Sequence, residues 1–245
     1  MNAKSVTLLL GLAVAAGAAQ AATGPMRADD PGIVDNAGFL RAHPDQRLRR
    51  SGMQSYERRH FSDALRDFKE AARYADKTSQ AMVAEMLWKG EGAAADRPLA
   101  YAWMDLAAER NYPSLIVMRE RYWSQLSAAE QARAIEIGKG VYAEFADDVA
   151  KPRLEKELAR ARTEVTGSRV GHVGTLSIPG SGAGAKKVDQ ITGLNDMNRF
   201  TDGSKYYADQ YWDAQQYWQW QDAQWRSLER GSVIVGAPQG VGKMN

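Results

Sequence analysis

Apolar residues recur three and four positions apart through the middle of the chain, the pattern of amphipathic α-helices that pack on one face. The first pair of helices is predicted at 45–59 and 61–75, with Ser62 capping the second. The apolar face of that second helix consists of Ala64, Leu65, Phe68, Ala71 and Ala72.

A second unit begins near Ser79 and repeats part of the first. Glycines at Gly90 and Gly92 are predicted to end its first helix, because glycine tolerates the positive φ of a helix exit. Asp96 is predicted to cap the next helix, with Pro98 in its first turn. At an offset of 36 positions, three alanines of the first unit fall on three of the second: Ala64, Ala71 and Ala72 on Ala100, Ala107 and Ala108. A period of this length is typical of stacked helical pairs, although two such helices could also belong to a non-repeating bundle.

Three more helices are expected before residue 166. The first runs from Pro113 to Gln125, and the second begins at a capping box, Ser127 to Glu130, and ends near residue 145. The third, at 149–165, has Pro152 in its first turn and is rich in charge, as a terminal cap on stacked repeats should be. The fold class is therefore all-α.

The second unit resembles the Sel1-like repeat family, which is related to the tetratricopeptide repeats. The residues that define the resemblance are Ala84, Leu87, Gly90, Gly92, Asp96, Ala100, Trp103, Ala107 and Ala108. Asn111 stands where the family commonly has a glycine, and asparagine also tolerates left-handed φ. The resemblance implies a short right-handed solenoid of antiparallel helix pairs at 45–166 and a role as an adaptor that assembles protein complexes.

The N-terminal residues have the pattern of a secretory signal. A lysine at position 4, an apolar run over 6–16 and alanines at 19 and 21 predict a signal peptide over 1–21. The run is shorter than the roughly 20 residues that a membrane-spanning helix needs, which disfavours that alternative. We expect an exported protein, periplasmic or secreted from a bacterial cell, with a loose leader over 22–44.

Beyond residue 166 the helical period is lost. Residues 167–203 are predicted to be a Gly-rich linker with one short strand at 173–178, and residues 231–245 a disordered tail. Between them, 204–230 is rich in Tyr, Trp and Gln and is predicted to be one helix. Its aromatic stripe consists of Tyr207, Tyr211, Ala214, Trp218, Gln221, Trp225 and Leu228, with Trp212 and Trp220 on the opposite side. The stripe could pack back on the helical domain, bind a partner or a second copy, stack on glycan rings or lie on a membrane.

The composition of the chain excludes several kinds of functional chemistry. The chain has no cysteine, which excludes disulfides and thiolate chemistry, and its formal net charge of +2 gives no strong attraction to nucleic acid. The three histidines, His43, His60 and His172, form no metal or catalytic motif, and Asp147-Asp148 is interpreted as an acidic helix start. We therefore expect neither catalysis nor a cofactor.

The favoured function is a non-enzymatic protein–protein interaction module that binds a protein or peptide. The alternative is a glycan- or peptidoglycan-binding protein of the envelope that uses the aromatic segment. The candidate partner contacts are Gln54, Arg58, Met82, Glu85, Met86 and Lys89 on the first helices of the pairs, and Tyr211, Trp218 and Trp225 in the aromatic segment.

Overall fold

A computed structural model of the chain describes residues 30–166, 177–179 and 200–229. The predicted signal peptide, most of the predicted linker and the 231–245 tail lie outside the described residues.

The described residues are helical apart from one pair of short strands, as expected for the all-α class. The elements are α1 (Pro31–Val34), α2 (Ala37–Ala42), α3 (Pro44–Glu57), α4 (Phe61–Ala72), α5 (Lys77–Lys89), α6 (Arg97–Ala107), a 3₁₀ turn (Ala108–Arg110), α7 (Pro113–Trp123), α8 (Ala128–Phe145), α9 (Asp147–Thr166), β1 (Ser177–Pro179), β2 (Phe200–Asp202), α10 (Gly203–Tyr206), α11 (Asp209–Trp212) and α12 (Ala214–Glu229).

Neighbouring helices pack in sequence order through the middle of the chain. Helix α3 packs on α4, α4 on α5, and α5 on α6, while α6 also contacts α7 and α8. The small residues predicted to define the repeats lie in the interfaces, because an alanine lets two helix axes approach closely. All of the following are buried: Ala64, Ala71, Ala72, Ala84, Leu87, Ala100, Trp103, Ala107 and Ala108.

The two glycines of the second unit form the turn that was predicted after its first helix. Gly90 and Gly92 have φ values of +77° and +82°. A Cβ added at Gly92 would lie 2.4 Å from the carbonyl oxygen of Phe61, so this glycine also lets the turn pack directly on α4. Asp96 caps α6 by accepting a hydrogen bond from the Leu99 amide at 3.1 Å, and Asn111 has a φ of +57°.

Helix α5 begins at Lys77, near Ser79 as predicted, because Asp76 accepts a hydrogen bond from the Ser79 amide at 2.7 Å and caps the helix. Two other local predictions were wrong. Helix α4 begins at Phe61, so Ser62 lies inside its first turn and does not cap it. Helix α9 begins at Asp147, which places Pro152 inside the helix rather than in its first turn.

The segment 30–44 is not the loose leader that its Gly, Pro and Asp content indicated. Asn36 caps α2 through a hydrogen bond from the Gly38 amide at 2.8 Å, and Ile33 and Phe39 are buried. Composition failed here because the partner of these apolar residues is more than 150 positions away, in the aromatic segment.

The aromatic segment forms three helices, two of 4 residues and one of 16, where one helix was expected. Asp213 has an extended backbone and accepts a hydrogen bond from the Gln216 amide at 3.0 Å, so it ends one helix and caps the next. Aromatic residues from both sides of the expected helix are therefore buried: Tyr211, Trp212, Tyr217, Trp218 and Trp220.

These rings form a second hydrophobic core with α2 and one face of α9, where Leu154 and Leu158 are buried. Helix α9 is thus covered by later residues and is not the exposed end of the stack. The strand pair adjoins this region, with Ile178 opposite Thr201 in an antiparallel register. Of the predicted strand at 173–178, only its last two residues lie within β1, and the others lie outside the described residues.

Candidate functional site

The predicted contact residues of the first helices lie on or directly beside α3 and α5, which both pack on α4. Gln54 is exposed on α3, and Arg58 is exposed just after α3 ends. The Tyr56 hydroxyl, also on α3, donates a hydrogen bond to the Glu91 carboxylate at 2.9 Å, just after α5 ends. This bond joins α3 and α5 at the same end, so their exposed residues border one shared face.

Helix α5 contributes a surface ion pair to this face. Lys89 donates to Glu85 one helical turn earlier, and both side chains are more than a third exposed. Met82 is half-buried against the core. Met86, which was predicted as a contact, is fully buried. It belongs to the core because α4 and α6 flank α5 and cover that side of the helix, and the prediction for Met86 was wrong.

Helix α7 extends the face through an aromatic contact. Tyr122 of α7 stacks on Trp88 of α5 with ring centroids 4.1 Å apart. The Arg97 guanidinium lies over the Trp88 ring, 5.1 Å from its centroid. Burial raises the pKa of Tyr122 to about 12, and Glu85 of α5 adds to that rise. We call the surface formed by the exposed residues of α3, α5 and α7 the first-helix face.

The three predicted contacts of the aromatic segment do not form an exposed site. Tyr211 and Trp218 are 2% and 7% exposed. Trp225 stacks on Tyr112 with ring centroids 5.1 Å apart. These rings attach the segment to the helical domain, so no open stripe is presented to a partner.

A buried ionic cluster holds the aromatic segment at the end of α6. Lys77 is fully buried, and its ammonium lies 2.8 Å from Glu109 and 3.0 Å from Asp147. Arg110 donates to Asp147 at 2.6 Å and forms an ion pair with Asp222 of α12 at 3.4 Å.

The pKa shifts in this cluster follow from burial and charge pairing. Burial lowers the pKa of Lys77, against the opposing effect of Asp147. Burial alone would raise the pKa of Asp147, but the hydrogen bond from Arg110 and the charge of Lys77 hold that pKa well below its usual range. Asp147 was interpreted as a carboxylate that stabilises a helix start. It does begin α9, and it is also the shared anion of two buried cations.

A second polar cluster lies where α3 meets α12. The Asp45 carboxylate is fully buried and accepts hydrogen bonds from the Tyr217 hydroxyl at 2.5 Å and the Gln221 amide at 3.0 Å. Its other oxygen has no partner among the described residues. Burial and the negative charge of Asp76 raise the pKa of Asp45 to about 6, although the Tyr217 bond and Arg49 oppose that rise.

His43 joins α2 to α11 in the same core. Its Nδ1 lies 2.8 Å from the carbonyl oxygen of Phe39, and its Nε2 lies 2.7 Å from that of Tyr211. Burial lowers the pKa of His43 to about 4, with these two backbone contacts opposing the shift. A neutral imidazole carries one N–H, so one of the two carbonyl oxygens receives a hydrogen bond at neutral pH. His43, expected to be a surface histidine, is instead a core residue.

The buried polar residues Asp45, Lys77 and His43 were missed because nothing in their local sequence distinguishes them from surface residues. Each contacts residues at least 29 positions away, and a short-range pattern carries no signal for such contacts.

Comparisons with known proteins match nothing: no family model matches the chain, and no curated protein or solved structure is similar to it. The resemblance to Sel1-like repeats therefore stays a prediction. Within residues 30–166, 177–179 and 200–229, no group of three or more His, Asp or Glu side chains could hold a metal ion. In the same described ranges, every helix is too short or too polar to cross a membrane.

Proposed function

We propose that this chain is an exported, non-enzymatic interaction module of the Sel1-like type, a short right-handed solenoid that binds a protein or peptide on its first-helix face. The observation that supports this most is the continuity of that face across three helices. The Tyr56–Glu91 bond joins α3 to α5, and the Trp88–Tyr122 stack joins α5 to α7.

The chemistry of the face suits an extended polypeptide. It carries both signs of charge, including Arg58, Glu85 and Lys89, beside half-buried apolar surface such as Met82. Mixed charge bordering apolar surface favours specific pairing with a peptide over general attraction to a polyanion.

The positions of the tryptophans favour this function over the glycan-binding alternative. Sugar stacking needs an open ring face, whereas Trp218 is buried and one face of Trp225 is covered by Tyr112. The aromatic segment is accounted for by its packing inside the molecule.

Site-specific photo-crosslinking in the producing cell tests the proposal. A photoreactive phenylalanine replaces Lys89 on the first-helix face or, as the matched control, Lys139 on α8, which is 68% exposed and also paired with a glutamate. We expect a discrete adduct from position 89, lost when Arg58→Ser and Glu85→Ser are added, and none from position 139. Equal adducts from both positions, or none from position 89, would contradict the proposal.

A further inference from the structure

A cavity of about 350 Å³ lies where α2, α9 and the α10–α11 region meet, and none of its lining residues belongs to the first-helix face. This volume is at the lower end of the range of small-molecule sites. The cavity has an aromatic floor and a polar rim, and its walls come from three separate parts of the chain.

The floor is a fixed cluster of three rings. The ring centroids of Tyr206 and Tyr207 lie 5.4 Å and 5.3 Å from that of Trp212. The Trp212 indole donates a hydrogen bond to the Tyr206 carbonyl oxygen at 2.6 Å, which holds the two residues together. The three rings are inclined to one another by 39° to 80°, so they form an uneven apolar wall that the ring contacts and this hydrogen bond already hold in place before binding.

The Tyr206 hydroxyl lies beside the wall formed by α2. A Cβ added at Gly38, another lining residue, would be 2.8 Å from that hydroxyl oxygen, so the absence of a side chain at position 38 makes room for it. Burial raises the pKa of Tyr206 and of Tyr207, so both hydroxyls stay protonated and remain donors at neutral pH.

Three donor groups of the lining have no hydrogen-bond partner in the part of the chain that the structure describes. Among residues that the structure describes, the Tyr206 and Tyr207 hydroxyls and the Arg41 guanidinium form no hydrogen bond or ion pair. The other charged lining residues, Glu157 and Arg160, pair with each other at 2.8 Å. The rim therefore has a net positive charge and an excess of donors.

We propose that this cavity binds a small carboxylate that carries a flat ring, with the ring against the half-buried Tyr207 and the carboxylate held by Arg41 and the Tyr206 hydroxyl. A guanidinium and a phenol together match the acceptor oxygens of a carboxylate, and an aromatic floor accepts either an aromatic ring or the C–H face of a sugar. The shared chemistry thus includes acidic sugars and aromatic acids.

Isothermal titration of the full mature chain with four probes tests the proposal. Glucuronate and 4-hydroxybenzoate carry the carboxylate, and glucose and benzyl alcohol are their neutral counterparts. We expect saturable binding of at least one acid and at least about tenfold weaker binding of its neutral counterpart. Binding of glucuronate alone identifies a sugar site, and binding of 4-hydroxybenzoate alone identifies an aromatic-acid site.

Variants then locate the binding. Arg41→Gln should weaken it about tenfold, because the variant loses a charge-assisted hydrogen bond to the carboxylate. The matched control Arg47→Gln, at an exposed arginine on α3 outside the lining, should leave binding unchanged. Gly38→Ala, which displaces the Tyr206 hydroxyl, and Tyr207→Ala should weaken it as well, with circular dichroism showing that each variant is folded. Failure of both acids to bind, or equal losses in the Arg41 and Arg47 variants, would overturn the proposal.

Discussion

Replacing Asp45 with asparagine should change how the stability of the fold depends on pH. The folded-state pKa of Asp45 is raised from 3.8 to about 6. The unfolded chain therefore loses this proton first as pH rises, so the contribution of Asp45 to the free energy of unfolding falls between pH 4 and 6. A shift of about two pKa units corresponds to about 3 kcal/mol.

His43 has the opposite effect over nearly the same range. Its pKa is lowered from 6.5 to about 4, so the unfolded chain takes up the proton first as pH falls. The contribution of His43 therefore rises by about 3 kcal/mol from pH 4 to 6.5. In the native protein these two opposite changes of stability with pH largely cancel. In Asp45→Asn only the contribution of His43 remains, so the stability of the variant rises with pH. Asparagine keeps an acceptor oxygen for Tyr217 and Gln221, which helps the variant to fold.

The assay is urea unfolding followed by tryptophan fluorescence at several pH values from 4 to 7. The native free energy of unfolding minus that of Asp45→Asn should fall by about 3 kcal/mol over this range. Asp148→Asn removes an exposed carboxylate and calibrates the effect of losing one surface charge. A difference between native protein and Asp45→Asn that stays constant with pH would refute the reasoning.

Three further predictions concern the turn, the ionic cluster and the tail, each measured by urea unfolding. Gly92→Ala should lower the free energy of unfolding by more than about 1 kcal/mol, because φ is +82° and the new Cβ would meet the Phe61 carbonyl oxygen. The control Gly140→Ala, where a Cβ has no neighbour within 4 Å, should raise it by up to about 1 kcal/mol. Equal effects of the two variants would contradict this prediction. Lys77→Met should lower the free energy of unfolding by about 3–5 kcal/mol, because Glu109 loses its buried cation. Lys139→Met on the surface should change it by less than about 0.5 kcal/mol. A similarly small loss in both variants would contradict the burial of Lys77. Trp212→Ala should cost about 3–5 kcal/mol, and a negligible loss would show that the aromatic segment adds no stability.

Local sequence signals predicted the helices of 44–166 well. The alanine spacing, the glycine turn, the Asp96 cap and the Ser127–Glu130 capping box all depend on residues within a few positions of one another. Each of these local sequence patterns favours one local structure, and the folded chain contains that structure.

Long-range contacts were not predictable in this way. Residues 30–44 and the aromatic segment are each too short to form a stable core alone, and they are ordered where Phe39 meets Tyr211 and Trp212. The candidate contacts on α3 and α5 were predicted from the resemblance to solenoids whose first helices line the inner face, and that resemblance cannot show that α4 and α6 cover Met86. The donor-lined cavity depends on three distant segments and has no sequence motif.

The central claim is that the aromatic segment is part of the folded core, which leaves the first-helix face for binding. Hydrogen–deuterium exchange of the full-length chain tests it most directly. An isolated helix the length of α12, 16 residues, is marginal in water, so its amides exchange quickly unless it is docked. We predict that α12 amides at 218–225 exchange about as slowly as those of α6. Exchange of α12 within seconds while α5 and α6 remain protected would contradict the account.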